Sequence, residues 1–175
     1  MIEAKLRSVI RDIPDFPKPG IIFKDITPIF KDPQLCTDII EAFVERLDGR
    51  PLDVIAGIES RGFFFGLLLA NRLKLPFVPI RKKGKLPYKT VQQSYNLEYG
   101  AETIEMHEDA IEAGQHVLIH DDLLATGGTV EATSRLIEKQ GGIISGYTFL
   151  ISLGFLKGSE KVNKFSDNII SLAEF

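Results

Sequence analysis

The chain carries a single cysteine, Cys36. No disulfide can form within it, which excludes the small cross-linked folds of secreted proteins and suits a reducing compartment. Long apolar runs are also missing. The longest, Phe63 to Ala70, is interrupted by Gly66 and falls well short of the roughly 20 residues that a membrane-spanning helix needs. The N-terminus shows no basic start followed by an apolar signal core, so a cytoplasmic location and no membrane partner are expected. His107, His116 and His120 stand in no zinc-ligand spacing, and with one cysteine a structural zinc site is not expected. Positive charge is not in excess. A net charge of −3 and a pI of about 5.7 disfavour a nucleic-acid partner, so a phosphate site must be basic only locally. There is no internal repeat or low-complexity tract, and Cys36 itself falls in an amphipathic pattern where it reads as packing.

At 175 residues and 44% hydrophobic content, the chain suits one domain spanning 1–175. Apolar residues at Ile2, Leu6, Val9, Ile10 and Ile13 predict a helix over Ile2 to Ile13 that stops against Pro14. Pro14, Pro17, Pro19 and Gly20 then predict a stiff loop without helix or sheet pairing. Gln34 to Leu47 places Leu35, Ile39, Ile40, Phe43, Val44 and Leu47 on one helical face. Asp53 to Ile58 reads as a buried strand with little alternation, as parallel sheets require, and a helix follows from Gly62 to Leu73. Pro76 to Ile80 reads as a short strand, Thr90 to Met106 as a hairpin or mobile flap, Ile143 to Ser152 as another strand, and I-I-S-L-A-E-F as a terminal edge strand. Helix between strands with short links gives right-handed βαβ units and an α/β fold.

The stretch around which the rest is organised is V-L-I-H-D-D-L-L-A-T-G-G-T, Val117 to Thr129. A strand at Val117 to Ile119 leads to two adjacent carboxylates, Asp121 and Asp122, and then to a turn at Gly127 and Gly128. A helix from Thr129 to Gln140 follows, with Val130, Thr133, Leu136 and Ile137 on one face. Glycine permits positive φ and close approach of a ligand. The unpaired N–H groups of the helix start, with the positive end of its dipole, favour a phosphate monoester, and Thr126 and Thr129 add hydroxyls. The carboxylates would repel that phosphate, so sugar hydroxyls or a magnesium ion are their fitting partners. The plainer alternative is an ordinary βα turn with a solvated strand end. No lysine follows the glycines, which disfavours a nucleoside triphosphatase of the Walker class.

Two further strand-to-helix or strand-to-loop junctions carry charge. Glu59-Ser60-Arg61-Gly62 lies where open α/β sheets bind ligands; Arg61 can meet a pyrophosphate with its fork of donors, or simply pair with Glu59. Arg81, Lys82, Lys83, Lys85 and Lys89 form a cationic loop with no acid among them, which suits an anionic ligand or a solvated surface loop.

The wording of four motifs, in order, resembles one family. D-D-L-L-A-T-G-G-T, D-F-P-K-P-G-I-I-F-K-D-I-T-P, V-P-I-R-K-K-G-K-L-P and the E-Y-G of S-Y-N-L-E-Y-G resemble the type I phosphoribosyltransferases, and among them the adenine phosphoribosyltransferases. The resemblance covers all but about the first dozen residues. It implies the type I phosphoribosyltransferase fold, a central, mainly parallel, twisted sheet flanked by helices with a small N- and C-terminal hood. It implies transfer of the 5-phosphoribosyl group from phosphoribosyl pyrophosphate to adenine, giving AMP for purine salvage, with Mg2+ and as a homodimer. The metal is expected on the substrate, reached by the protein only through Asp121 or Asp122. By the same resemblance, Asp121 and Asp122 hold the ribose, and Ala125, Thr126, Gly127, Gly128 and Thr129 hold the 5′-phosphate. Ser60, Arg61, Arg81, Lys82 and Lys85 meet the pyrophosphate, the basic loop sometimes from the neighbouring subunit. Main chain at Ile22 and Lys24 reads the adenine edge, with Ile22 packing on the ring; arginine is usual at the Lys24 position. Glu98 handles the proton of the leaving or attacking base, beside Tyr99, and F-L-K-G-S-E-K covers the base. Two alternatives stay open: a phosphoribosyltransferase for another purine base, and a regulator that senses phosphoribosyl pyrophosphate without turnover, for which neither terminus offers a DNA-binding segment.

Overall fold

The computed structural model describes residues 1–47, 49–97 and 100–175. A seven-stranded sheet dominates, with strand order β5-β6-β4-β3-β7-β8-β9. Its parallel part comprises β4 (Phe77–Lys82), β3 (Val54–Ile58), β7 (His116–Leu124), β8 (Ile143–Ser152) and β9 (Ile169–Glu174). The β5 (Thr90–Asn96) and β6 (Ala101–His107) strands form an antiparallel hairpin added at one edge. Helices are α1 (Ile2–Val9), α2 (Pro33–Arg46), α3 (Gly62–Leu73), α4 (Gly128–Lys139) and the single turn α5 (Gly158–Val162). The terminal edge strand, the β5–β6 hairpin, α2, β3, α3, α4 and β8 stand close to where the sequence pattern puts them.

The sheet's two faces carry two apolar clusters, because successive side chains of a strand point to opposite sides. Ile55 and Leu118 face α1, α2 and α3 together with Phe43, Phe65 and Leu150. Val54, Ala56, Val117 and Ile119 face the other way, with Leu136 and Ile137 of α4 and Tyr147 and Phe149 of β8. All five residues of β3 are therefore buried, and each fully buried large side chain contributes about 1.5–3 kcal/mol relative to exposure. The α2 helix begins where Asp32 accepts the Leu35 N–H at 3.0 Å and Pro33 occupies the first helical position.

The N-terminal expectations need correction. The first helix ends at Val9, not Ile13, because Ile10 is extended (ψ 132°). The chain continues as β1 (Arg11–Pro14), paired antiparallel with β2 (Ile22–Asp25), so the segment expected to lack sheet pairing is a small hairpin. Pro14 fits because it closes the strand, where its missing N–H costs no interior ladder bond. Between the strands, Asp15 accepts the Gly20 N–H at 2.8 Å. Both α1 and this hairpin meet the C-terminus: the Arg7 guanidinium of α1 lies 4.6 Å from the Phe175 ring centroid, and Lys24 Nζ of β2 lies 4.2 Å from it. The two chain ends together form the hood.

Candidate active site

The carboxyl ends of the parallel strands bring the charged junctions into one region. The β7 strand runs on through the acid pair to Leu124. Asp121 and Asp122 are thus strand residues on opposite faces rather than a loop beyond the strand end, a correction to the boundary expected at Ile119. The extension follows from pairing with β8, where Asp121 registers with Phe149 and Leu124 with Ser152. Gly62 lets α3 start close by, since a Cβ there would lie 2.9 Å from the His120 carbonyl oxygen.

Asp122 is 4% exposed, and Arg61 Nε lies 2.9 Å from its Oδ2. That oxygen has no aligned hydrogen bond among the described residues, so the contact is a charge pair with poor directionality. Asp121 accepts the Asp122 N–H at 2.8 Å. Burial, and then the neighbouring Asp122 charge, push the Asp121 pKa well above the ordinary carboxylate value. Burial also raises Asp122, with Arg61 opposing it. Two crowded carboxylates with unmet acceptor capacity suit hydroxyl donors or a cation. Just before them, His120 is fully buried, its Nδ1 2.9 Å from Thr148 Oγ1, and burial lowers its pKa to about 3.

The glycine corner is real, with a second reason for its composition. Gly127 has φ +78°, and a Cβ on it would lie 2.6 Å from the Gly158 carbonyl oxygen. The C-terminal segment therefore packs against one side of the corner, and this intrachain contact, with the positive φ, excludes larger residues. The helix begins at Gly128, one residue earlier than expected, with the Glu131 N–H donating to the Gly127 carbonyl at 2.8 Å. Thr126 is exposed and Ala125 half-buried. Thr129 is engaged: its hydroxyl lies 2.9 Å from the Tyr95 hydroxyl, which donates to Glu102 at 2.8 Å. Burial pushes the Tyr95 phenol up to about 12.

The pyrophosphate candidates are gathered, but around acids. Glu59 accepts from the Lys82 N–H at 2.9 Å, Arg81 Nε at 3.1 Å and Lys85 Nζ at 2.7 Å. Burial alone would raise its pKa, yet Lys85, the Lys82 amide and Arg81 outweigh that and hold it below the usual range. Lys82 Nζ reaches Glu102 at 2.7 Å. The cationic loop thus finds its counter-charges on β6 and at the end of β3, and Arg61 pairs with Asp122 rather than Glu59. The Glu59–Ser60 peptide, within the same turn, is cis. A cavity of about 210 Å³ opens between Glu59, Lys82, Tyr95, Glu102, Asp121 and Thr129, so that one lysine of the basic loop, one acid of the pair and the first turn of α4 share it.

On the hood side, Ile22 is 58% exposed, available to pack on a planar ligand. The Lys24 carbonyl accepts from Arg61 Nη1 at 3.2 Å, while Lys24 Nζ pairs with Asp12 at 2.7 Å. Arg61 also lies over the Phe23 ring at 4.7 Å. Glu98 and Tyr99 lie outside the described residues. The residues that sequence reasoning missed are Glu59 as an acceptor hub, Glu102 and Tyr95. Tyr95 and Glu102 are register partners across the hairpin, a pairing that follows once Asn96 is set opposite Ala101.

Comparison with known proteins agrees with this geometry. The family model for the phosphoribosyl transferase domain matches residues 25–164. An adenine phosphoribosyltransferase of Cytophaga hutchinsonii is 56% identical over 177 residues, covering 100% of this chain and 97% of that protein. The crystal structure of adenine phosphoribosyltransferase from Thermoanaerobacter pseudethanolicus superposes with a TM-score of 0.95 at 49% identity, covering 100% of both chains. That of the Saccharomyces cerevisiae enzyme, complexed with an imino-altritol bisphosphate and adenine, gives 0.90 at 39% identity, covering 97% of this chain and 96% of that one. With a full-length match in sequence and fold, this chain belongs to the phosphoribosyl transferase domain family and, within it, to the adenine phosphoribosyltransferases.

Proposed function

We propose that the protein transfers the 5-phosphoribosyl group of phosphoribosyl pyrophosphate to adenine, giving AMP and pyrophosphate in purine salvage. The observation that carries this reading is the cavity that Asp121 shares with Lys82 of the basic loop and Thr129 at the start of α4, with the Arg61–Asp122 pair adjoining Asp121 in the chain. In the reaction the bond from C1 of ribose to pyrophosphate breaks, its electron pair leaving with the pyrophosphate, while an imidazole nitrogen of adenine bonds to C1 from the opposite face. Arg61, Arg81, Lys82, Lys85 and main chain at Ser60 receive the departing anion, with Arg81, Lys82 and Lys85 exchanging Glu59 and Glu102 for phosphate oxygens. Fixed positive charge at that point lowers the barrier by several kcal/mol.

Asp121 and Asp122 bind the ribose hydroxyls and set negative charge beside a sugar that becomes cationic. Ala125 to Thr129 anchor the 5′-phosphate by N–H groups and hydroxyls, holding the sugar at its far end. Ile22 packs on the base, main chain at Ile22 and Lys24 reads its edge, and Glu98 takes its proton. The carboxylate oxygens of Asp121 and Asp122, one of them buried without an aligned hydrogen bond, fit the hard-donor preference of Mg2+. Among the described residues no cluster of three or more acids, histidines or cysteines could hold a metal unaided, so the fit is to a magnesium shared with the substrate. When bound, it supplies positive charge on the leaving pyrophosphate.

We further read 1–175 as one domain that acts in the cytoplasm as a homodimer. The dimer reading rests on α3, where Phe64, Leu67 and Leu68 are 51%, 56% and 46% exposed, an apolar face of the kind that partners cover. The whole assignment is tested by assaying adenine-dependent AMP formation in the wild type and in the double variant Asp121→Asn, Asp122→Asn. Activity is expected in the first and a severe loss in the second; an unimpaired double variant would sink the ribose-anchoring role.

A further inference from the structure

Glu105 is 2% exposed and belongs to none of the contacts considered above. Its Oε1 accepts three consecutive backbone N–H groups, from Gly84 at 3.0 Å, Lys85 at 3.1 Å and Leu86 at 3.0 Å. Its Oε2 accepts from Thr90 Oγ1 at 3.2 Å and Gln92 Nε2 at 3.3 Å. The β-ladder places it opposite Arg81 on one side and Gln92 on the other. Three successive N–H groups turned to one point make an anion-binding nest, here filled by the protein's own carboxylate.

We propose that Glu105 is a positioning residue for phosphoribosyl pyrophosphate: it moulds the turn at Gly84 to Leu86 so that Lys82 and Lys85 are already placed when the pyrophosphate arrives. This rests on the reading of the basic loop as the pyrophosphate site. Two kinds of acid hold that loop. Glu59 and Glu102 grip its side chains, Glu59 also taking the Lys82 N–H, and a phosphate oxygen can replace them at the lysines. Glu105 grips its backbone from inside the protein, so its bonds persist while the lysines change partners. Without it, the three N–H groups turn to water, the turn samples other shapes, and the ordering cost falls on substrate binding. Once the pyrophosphate is bound, the lysines stand where they do in the wild type, so the chemical step is left largely alone.

The test is steady-state kinetics of the full chain, with KM for each substrate and kcat measured separately, on Glu105→Ala, Glu105→Gln, Lys82→Ala and Lys85→Ala. For Glu105→Ala, KM for phosphoribosyl pyrophosphate is expected to rise about tenfold or more, the size of one lost ordering contribution, with kcat and KM for adenine little changed. Glu105→Gln keeps an acceptor for the N–H groups but cannot accept from Thr90 through its amide nitrogen, so it is expected in between; if the alanine variant does not fold, the glutamine variant carries the test. Faster amide exchange at Gly84, Lys85 and Leu86 in Glu105→Gln is the accompanying signature. A lowered Tm with KM for phosphoribosyl pyrophosphate unchanged, or a fall in kcat alone, overturns the proposal while leaving the loop's assignment intact provided the lysine variants raise that KM. If Lys82→Ala and Lys85→Ala both leave it unchanged, the reading of the loop is what fails, and the proposal with it.

Discussion

Arg61 Nε stands 2.9 Å from Asp122 Oδ2, and the same guanidinium donates to the Lys24 carbonyl of the hood hairpin at 3.2 Å. One side chain therefore ties the acid pair to the segment assigned to the base.

Arg61→Ala leaves Asp122 buried without its counter-charge. Because Arg61 is partly exposed (28%), the loss is expected to be about 1–3 kcal/mol at neutral pH, read by urea unfolding. The double variant with Asp122→Asn should recover most of it, since the stranded charge is gone. Equal destabilisation in the single and double variants would show that the pairing carries no coupling energy.

Asp121 supplies a pH prediction. Its folded pKa is raised above the ordinary 3.8, so within that window the folded state holds more protons than the unfolded one, and stability falls as pH rises through it. His120 acts in the opposite sense. Its pKa is lowered from 6.5 to about 3, so its contribution is present above 6.5 and is lost as pH falls toward 3. Subtracting the wild-type curve from that of Asp121→Asn removes His120 and leaves Asp121 together with its effect on Asp122. The variant, without ligand, should gain stability relative to wild type as pH climbs from 4 to 8, by about 1–2 kcal/mol at the top, while AMP formation drops roughly 100-fold. A difference curve that is flat with pH contradicts the cause assigned here.

Gly127→Ala tests the corner. The new Cβ meets the Gly158 carbonyl oxygen at 2.6 Å, at a residue with φ +78°, so a cost of about 1–3 kcal/mol is expected. Amide exchange should quicken in α5, whose start packs there, before it does in β7. Wild-type exchange across Gly158 to Val162 would show that the contact does not hold the segment.

Much of the sheet and its helices was legible because burial on both faces leaves a pattern in the chain itself. Val54 to Ile58 is apolar throughout for that reason, and Val130, Leu136 and Ile137 recur at helical spacing against one face. The N-terminal hairpin was not legible. Prolines near Arg11–Pro14 speak of restricted φ, but whether such a segment pairs depends on a partner strand some ten residues on.

The site divides along the same line. Residue types in order were enough to raise Asp121, Asp122 and Gly127 as candidates for a phosphate and its sugar, while Arg61 and the basic loop stayed open between an anion and a plain surface role until the family resemblance pointed to pyrophosphate. Pairing was decided only in three dimensions. That Arg61 turns to Asp122 and not to its near neighbour Glu59, that Glu59 gathers Arg81 and Lys85, and that Tyr95 reaches Thr129 all depend on which strands lie side by side. Local sequence records what a residue can donate or accept; long-range folding chooses the atom that answers it, because charge and hydrogen-bond energies fall off within a few ångströms.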